Sequence, residues 1–454
     1  MKSILMLGAP LLLAACGLMR TPYHPPAVQT PAEWQYAPQA TAASGGMWWR
    51  NFQDPVLDTL VEAALARNND LAVAALKVRR AQLQAGLAQA DLHPTLSGTG
   101  SFNRNRALNG ERATTRSTNV ELAASWELDL WGRLSSARDA ADWQAAATEQ
   151  DRQSAALSLI GTTAKLYWQT AFLNQRMASS RESIAYARRT LELVQTQYEA
   201  GGASGLEIAE AKENLAGQEA AYIELQQQKV EAVNGLTILF DGPPDRVAAD
   251  PQRLPQGMLP GVDAGLPAGL LGRRPDLRAA EARLRAAMAT SDATRASYYP
   301  SLSLTGALGS ASNSLGNLLA NPVAALGSGL SLPFLNWNQM RLNLRIAEAD
   351  YEILVAQFRQ ALYQAMADVE NTLSARAQLA RRARLLEAAL EASRDAERLY
   401  EVRYRAGAVA LRVWLDAQEK RRNAEIAVDD NRLQQLRNQV DVYQALGGDA
   451  AVGQ

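Results

Sequence analysis

The stretch Val120-Glu121-Leu122-Ala123-Ala124-Ser125-Trp126-Glu127-Leu128-Asp129-Leu130 decides the fold. Val120, Leu122, Ala124, Trp126, Leu128 and Leu130 alternate with Glu121, Ala123, Ser125, Glu127 and Asp129. A period of two sends successive side chains to opposite faces, so the segment reads as a strand with one apolar and one acidic face. The alternation lasts about the 9–11 residues that a tilted strand needs to cross a bilayer. Carboxylates in a dry core would lose their hydration at high cost. Glu121, Glu127 and Asp129 are therefore expected to line water, as residues of a barrel lumen with a modest preference for cations.

The neighbouring segments fit this reading. A weaker partner strand, about 94–104, carries Leu96, Gly98, Gly100 and Phe102 and precedes a polar loop, Asn103 to Ser117. The quoted strand is expected over about 118–131. Ahead of the pair, a helix from Asp70 to Asp91 is stopped by Pro94, because the residue before a proline is pushed out of the helical region. Behind it, an Ala-rich helix is expected from Ala137 to Glu199, roughly 95 Å long at about 1.5 Å per residue. Gly201-Gly202 end it, and a return helix runs from Leu206 to Phe240.

The whole pattern then recurs at an offset of 206. Asn69-Asp70-Leu71 maps onto Pro275-Asp276-Leu277, His93-Pro94 onto Tyr299-Pro300, Trp131 onto Trp337, Tyr198 onto Tyr404 and Gly201 onto Gly407. The second unit has strands at about 300–310 and 323–335, in which Leu302, Leu304 and Leu308 alternate with Ser301, Ser303, Thr305 and Ala307. A polar loop from Gly309 to Pro322 separates them. Leu326, Leu330, Leu332 and Phe334 alternate with Ala325, Gly327, Gly329 and Ser331. A long helix, Arg341 to Ala406, and a return helix, Leu411 to Leu446, complete it. The chain is a tandem duplication.

The domain plan follows. Residues 1–15 are an export signal and 16–55 a Pro-rich extended segment running over the surface. Repeat 1 is 56–242, a Pro-rich linker fills 243–275 with seven prolines, repeat 2 is 276–446, and 447–454 form a tail. None of the 18 prolines falls between Pro94 and Pro243 or after Pro333, as long helices require.

The start of the chain carries Lys2, an apolar run from Ile4 to Leu13 too short to span a bilayer, and then Leu13-Ala14-Ala15-Cys16. That tetrapeptide looks like a lipoprotein box, which makes Cys16, the sole cysteine, the expected lipidation site. Gly17 after it favours an outer-membrane address. Export, the acidic strand face, and Trp131 and Trp337 at matching strand-to-helix junctions favour membrane hairpins over a soluble sheet. The two tryptophans suit an interfacial aromatic girdle.

Four strands cannot close a barrel, and an open edge cannot sit in lipid because its backbone groups would go unpaired. Several chains must therefore assemble. Two would leave little lumen, so the sequence by itself favours three or four.

Other chemistry finds no support. With 46 Lys+Arg against 47 Asp+Glu the chain is nearly neutral, which argues against nucleic acid as a partner. One cysteine and two histidines, His24 and His93, furnish neither a disulfide framework nor a Cys/His zinc site. No nucleophile–base pair or phosphate loop is visible, so no catalysis, metal or cofactor is expected beyond the covalent lipid on Cys16. The Arg381, Arg382 and Arg384 run reads as a solvated face.

Several segments taken together resemble the outer-membrane efflux protein (TolC) family, in its OprM/NodT-type lipoprotein branch. They are Trp48-Trp49-Arg50-Asn51-Phe52-Gln53-Asp54-Pro55, Ser125 to Leu134, Arg273-Arg274-Pro275-Asp276-Leu277 with Ala280-Glu281, Tyr299-Pro300-Ser301, and Leu415-Asp416-Ala417-Gln418. Leu335-Asn336-Trp337-Asn338-Gln339 departs from the family by lacking a glycine. The resemblance implies a mainly α fold with a membrane β-barrel: a homotrimer closing a 12-stranded barrel and a 12-helix α-barrel tunnel. It also implies a periplasmic adaptor and a proton-driven inner-membrane pump as partners, outer-membrane lipid around the barrel, and a passive exit duct for small toxic compounds or drugs. Adaptor docking would fall on the hairpin tips, Gly201, Gly202, Ser204, Gly407, Ala408 and Val409. Asp416 would project into the periplasmic aperture. Arg412 lies one turn before it and can pair with it along the helix, and Leu206 and Glu210 are the repeat equivalents. The alternatives are an exported coiled-coil lipoprotein with a scaffolding role, or a protein-secretion duct of the same family.

Overall fold

The computed structural model describes residues 20–36, 47–109, 114–243, 249–265, 267–312 and 322–448. The export signal, Cys16, the tail from 449 and the loop residues 110–113 and 313–321 lie outside the described residues.

The elements come in two matching series. The first is a 3-10 turn (Trp48–Phe52), α1 (Pro55–Arg67), α2 (Asn69–Ala90), β1 (Thr95–Arg106), β2 (Thr114–Leu128), α3 (Arg133–Glu199) and α4 (Gly205–Thr237). The second is a one-turn helix (Leu270–Arg273), α5 (Pro275–Ala296), β3 (Ser301–Ser312), β4 (Pro322–Ser331), α6 (Trp337–Arg405) and α7 (Leu411–Ala445). The long helices run for 67 and 69 residues and each begins four residues earlier than expected, at Arg133 and Trp337. None of the described helices is long and apolar enough to cross a membrane.

The chain forms two compact units. One comprises Met1–Val28, Ala75–Gln150 and Arg278–Ala361; the other comprises Gln29–Ala74, Asp151–Leu277 and Leu362–Gln454.

The first unit holds a four-stranded antiparallel sheet in the order β1-β2-β3-β4, so β2 and β3 join the two repeats. Thr95 pairs with Ser125 and Ser301 with Ser331. Adding 206 to both members of the first pair gives the second, so the duplication preserves hairpin register to the residue. Leu96, Phe102, Val120, Leu122, Trp126, Leu304, Leu308, Leu326 and Leu330 share one face by register, and all are exposed. Residues 20–28 lie against the helices of this unit. The Thr21 backbone N–H and hydroxyl donate to the buried Asp292 carboxylate at 2.9 and 2.7 Å. Arg285 lies over the rings of both Tyr23 and Trp143, at 4.4 and 4.7 Å.

The second unit holds the main core, in which Trp48, Trp49, Leu57, Trp168, Leu173, Leu436 and Tyr443 are buried. The described part of the 16–55 segment therefore does not simply run over the surface. Trp48 stacks on Tyr443 at 5.0 Å, and Trp34 is buried with its indole N–H donating to the Ala264 carbonyl. Asp54 caps α1 by accepting from Val56 and Leu57 N–H groups, and its other oxygen accepts from Tyr167 Oη at 2.9 Å. Aromatic burial in this short motif outweighs the irregularity that its prolines impose. In the linker, too, Leu254, Val262, Ala264 and Leu270 are buried.

Tertiary contacts repeat as faithfully as the register. Asn68 Nδ2 donates to the Leu239 carbonyl, and Arg274 Nη1 donates to the Ala445 carbonyl, both at 3.2 Å. Arg188 pairs with Glu219 at 2.7 Å and Arg394 with Glu425 at 3.1 Å. Each contact maps onto its counterpart by 206 at both ends.

Candidate functional site

The polar face of the sheet is the first candidate. Paired residues share a face, so Thr99, Glu121 and Gly309 form one row and Glu127 and Ser303 another. Only Glu121 of the three expected carboxylates stands there without an ion-pair partner among the described residues. Glu127 makes a two-pronged pair with Arg133, at 3.0 and 2.8 Å. Asp129 lies beyond the end of β2, and its two oxygens accept from the Leu134 and Ser135 N–H groups, each at 2.9 Å. The first N–H groups of a helix have no partner of their own and carry partial positive charge, so a carboxylate that can reach them will do so. Asp129 is thus a cap for α3, and Glu127 is neutralised beside it. Neither is the free lumen carboxylate that strict alternation suggested.

The strand-to-helix junctions place both expected tryptophans but treat them differently. Trp131 is half-buried, donates from its indole N–H to the Pro300 carbonyl at 2.8 Å and lies 5.1 Å from the Tyr299 ring. Trp337 opens α6 and is 62% exposed. Its repeat-equivalent partner would be Pro94, which lies on the far edge strand's side of the sheet.

The helix–helix turns are the second candidate, within the other unit. Both long helices end in the same way. Gly201 (φ 76°) and Gly407 (φ 70°) take the left-handed conformation that a β-carbon disfavours. Gly202 N–H reaches the Gln197 carbonyl at 2.7 Å and Ala408 N–H reaches that of Arg403 at 2.9 Å, closing two Schellman caps. The next helix starts differ. Ser204 N–H donates to the Glu207 carboxylate at 2.7 Å, whereas Ala410 and Val413 hold the equivalent positions.

Behind the turns, Val194, Ala211, Tyr404, Leu411, Trp414 and Leu415 form a buried cluster. Trp414 stacks on Tyr404 at 5.2 Å and meets Tyr186 edge-on at 6.1 Å. Tyr404 Oη donates to Gln197 Oε1 at 2.7 Å, tying α6 to α3.

The expected Arg412–Asp416 pair is not formed. Both residues are exposed, and no ion pair joins them among the described residues. Leu206 is exposed too, and Glu210 is half-buried. Charge pairing instead runs along the buried flank. Arg421 bridges Glu397 and Glu425, at 2.6 Å to the latter, and Glu401 accepts from Tyr186 Oη at 3.2 Å. Burial works against the Arg421 charge, but Glu397 and Glu425 more than offset it and raise the guanidinium pKa. Burial, then Glu401 and Glu397, push the Tyr186 phenol up. Arg421 and Glu425 are four residues apart on one helix, a spacing visible in the sequence. Glu397 comes from another helix, which no local pattern signals. Among the described residues, no cluster of His, Cys, Asp and Glu could hold a metal ion.

Comparison with known proteins accounts for this architecture. The family model described as outer membrane efflux protein matches residues 60–240 and again 266–448, with starts 266 − 60 = 206 apart. The chain is 34% identical over 460 residues to the pyoverdine export outer membrane protein OpmQ of Pseudomonas putida, covering 98% of this chain and 97% of that one. It is 32% identical over 467 residues to the toluene efflux pump outer membrane protein TtgC of P. putida, covering 98% and 96%. Among solved structures, the open state of the Neisseria gonorrhoeae MtrE outer membrane channel superposes with a TM-score of 0.79 at 31% identity, covering 95% of this chain and 98% of that one. The chain belongs to the outer membrane efflux protein family, with the α-barrel-plus-β-barrel fold of its channels, and serves as an outer-membrane exit duct.

Proposed function

We propose that the duct is a homotrimer, anchored through lipid on Cys16, that passes small organic compounds from an inner-membrane pump and a periplasmic adaptor to the exterior. The observation that carries the reading is the sheet. β1 and β4 have unpaired outer edges, and an apolar face with open edges is stable in lipid only if the edges pair. Three chains supply twelve strands.

The duplication also supplies the register of that seam. Within the chain Leu122 of β2 faces Leu308 of β3. Moving each by one repeat, 122 + 206 and 308 − 206, pairs Ser328 of one chain with Phe102 of the next. Trp337 would then reach Pro94 of the neighbouring copy, as Trp131 reaches Pro300 within the chain. Pro333, the counterpart of Glu127, has no N–H to donate. β4 ends at Ser331, where its pairing with β3 ends, as the pairing of β1 with β2 ends at the equivalent Ser125; β2 continues to Leu128 through its second neighbour, β3.

Glu121 would form a three-fold ring in the lumen. The glycine turns would form the adaptor-docking tips, and Arg412, Asp416, Leu206 and Glu210 would face the aperture. The exposed positions of Arg412 and Asp416 leave them free for partners across the three-fold axis. The export of pyoverdine and toluene named for the relatives favours small-molecule efflux over protein secretion.

The test is oxidative cross-linking of Phe102→Cys/Ser328→Cys and, separately, Ser101→Cys/Gly329→Cys. Successive antiparallel pairs alternate in spacing, so one of the two is the closer type that a disulfide tolerates. One of them should yield covalent dimers and trimers and nothing larger. Bands beyond trimer, or none with either pair, reject the proposed closure.

A further inference from the structure

Hairpin β1–β2 carries a basic cluster that hairpin β3–β4 lacks. Arg104 and Arg116 are register partners, so two guanidinium-bearing side chains stand directly opposite each other. Like charges in that position destabilise a sheet unless something compensates them. Arg106, paired with Thr114, lies two residues further along the same face. All three are exposed, and none has an ion-pair partner among the described residues. The equivalent positions in the second hairpin are Ser310, Ser312 and Pro322.

Alternation puts these arginines on the apolar face, in line with Phe102, Leu122 and Trp126, and not on the polar face with Glu121. Their height on that face matters. Ten residues separate Trp126 from Arg116, about 33 Å along a strand at roughly 3.3 Å per residue. A strand tilt of about 40° reduces that to a rise of about 25 Å, the height of a barrel's apolar band. Trp126 is near the helix end of the strands, so the arginines fall at the opposite, outer rim. There an arginine costs about 0–1 kcal/mol, against roughly 2–4 at the midplane. Thr118, paired with Phe102 on the same face, has a buried hydroxyl with no partner among the described residues.

We propose that Arg104, Arg106 and Arg116 bind the phosphate groups of an anionic glycolipid headgroup in the outer leaflet, one site per chain. A planar guanidinium accepts a phosphate on two parallel N–H···O bonds, and an anion set between Arg104 and Arg116 removes their repulsion. Phe102 and Leu122 continue the same face below the arginines, so a ligand that is apolar below and phosphorylated above is met along its length. That continuity favours a lipid over a free anion. The inference rests on the reading that this face meets lipid.

The experiment uses the purified full chain in detergent and counts bound glycolipid by native mass spectrometry. The probes are diphosphoryl lipid A and the same lipid dephosphorylated. Wild type should bind the diphosphoryl form at least tenfold more tightly than the dephosphorylated one. The variant Arg104→Ser/Arg106→Ser/Arg116→Ser should lose that preference, and the single Arg116→Ser serves if the triple variant does not assemble. Equal binding of both lipids by wild type, or an unchanged preference in the variant, overturns the site. So does full competition by equimolar inorganic phosphate, which would mean a free-anion site. Brominated acyl chains test the underlying reading separately, by quenching emission that Trp126→Phe removes. Quenching without phosphate dependence rejects the arginine site alone, and absent quenching rejects the lipid-facing sheet.

Discussion

The two repeats have one backbone and two surfaces. Their hairpins keep the same register after a shift of 206, their long helices end in the same glycine cap, and the Arg188–Glu219 and Arg394–Glu425 pairs are copies of one contact. The side chains laid over that frame have diverged. Asn68 and Arg274 illustrate how. They occupy equivalent positions and bond equivalent carbonyls, yet Asn68 also caps its helix through Leu71 N–H, while Arg274 chelates Asp276 at 3.0 and 2.7 Å. What the repeats share is backbone satisfaction and one copied ion pair, and what they vary elsewhere is charge and bulk. A duct closed by three copies, as proposed, would need the first to close and could use the second to distinguish alternate positions.

The largest expected break in that equivalence is at the turns. Trp414 is 2% exposed and stacked on Tyr404, whereas its counterpart Ile208 only packs against the cluster's margin. Trp414→Ala should cost about 3–5 kcal/mol, as large-to-small core changes do, and Ile208→Ala clearly less. Thermal unfolding followed by near-UV circular dichroism would rank them; equal losses would show that the two turns are supported alike.

A smaller effect belongs to the junctions. Asp129 caps α3, but Leu335 stands at the equivalent place before α6. Asp129→Ala should destabilise by about 1 kcal/mol, the usual worth of such a cap. Amide exchange at Leu134 and Ser135 should speed up, with α6 left unchanged. Unaltered exchange in α3 would mean that Arg133 and Glu127 hold the junction by themselves.

The smallest change in stability, within about 0.5 kcal/mol, is expected for Glu121→Gln, because the carboxylate has no ion-pair partner among the described residues and its counterpart is Gly327. Its readout is the reversal potential in planar bilayers under a salt gradient, where cation preference should fall. An unchanged potential would leave the lumen's selectivity with groups other than this one.

Much of the fold was legible because it is periodic. Alternation in Val120–Leu130, proline stops at Pro94 and Pro300 and glycines at Gly201 and Gly407 are local signals with local physical causes, and the structure follows them to within a few residues. That Glu127 pairs with Arg133 and Asp129 caps α3 has a cause that alternation cannot contain. A strand pattern says which face a side chain leaves from, not that a helix starts five residues on and offers bare N–H groups. Arg412 and Asp416 show the same limit, since correct spacing for a pair does not create one when both side chains have water. Trp48 and Trp49 lay in a proline-rich stretch read as surface chain. Their burial depends on a core shared with Trp168 and Tyr443, 119 and 394 residues beyond Trp49.

By itself the sequence determined the duplication, the order of elements, the faces of the strands and a strand number too small to close a barrel. Those follow from periodicity and from the rule that backbone polar groups must be paired. Only the tertiary structure decided which carboxylate stays free, which tryptophan is pinned, where the charges of the second unit converge, and that two arginines face each other on the apolar side of β1 and β2. Such outcomes are set by distances between segments far apart in the chain, and a pairing register fixes them only once the strands have met.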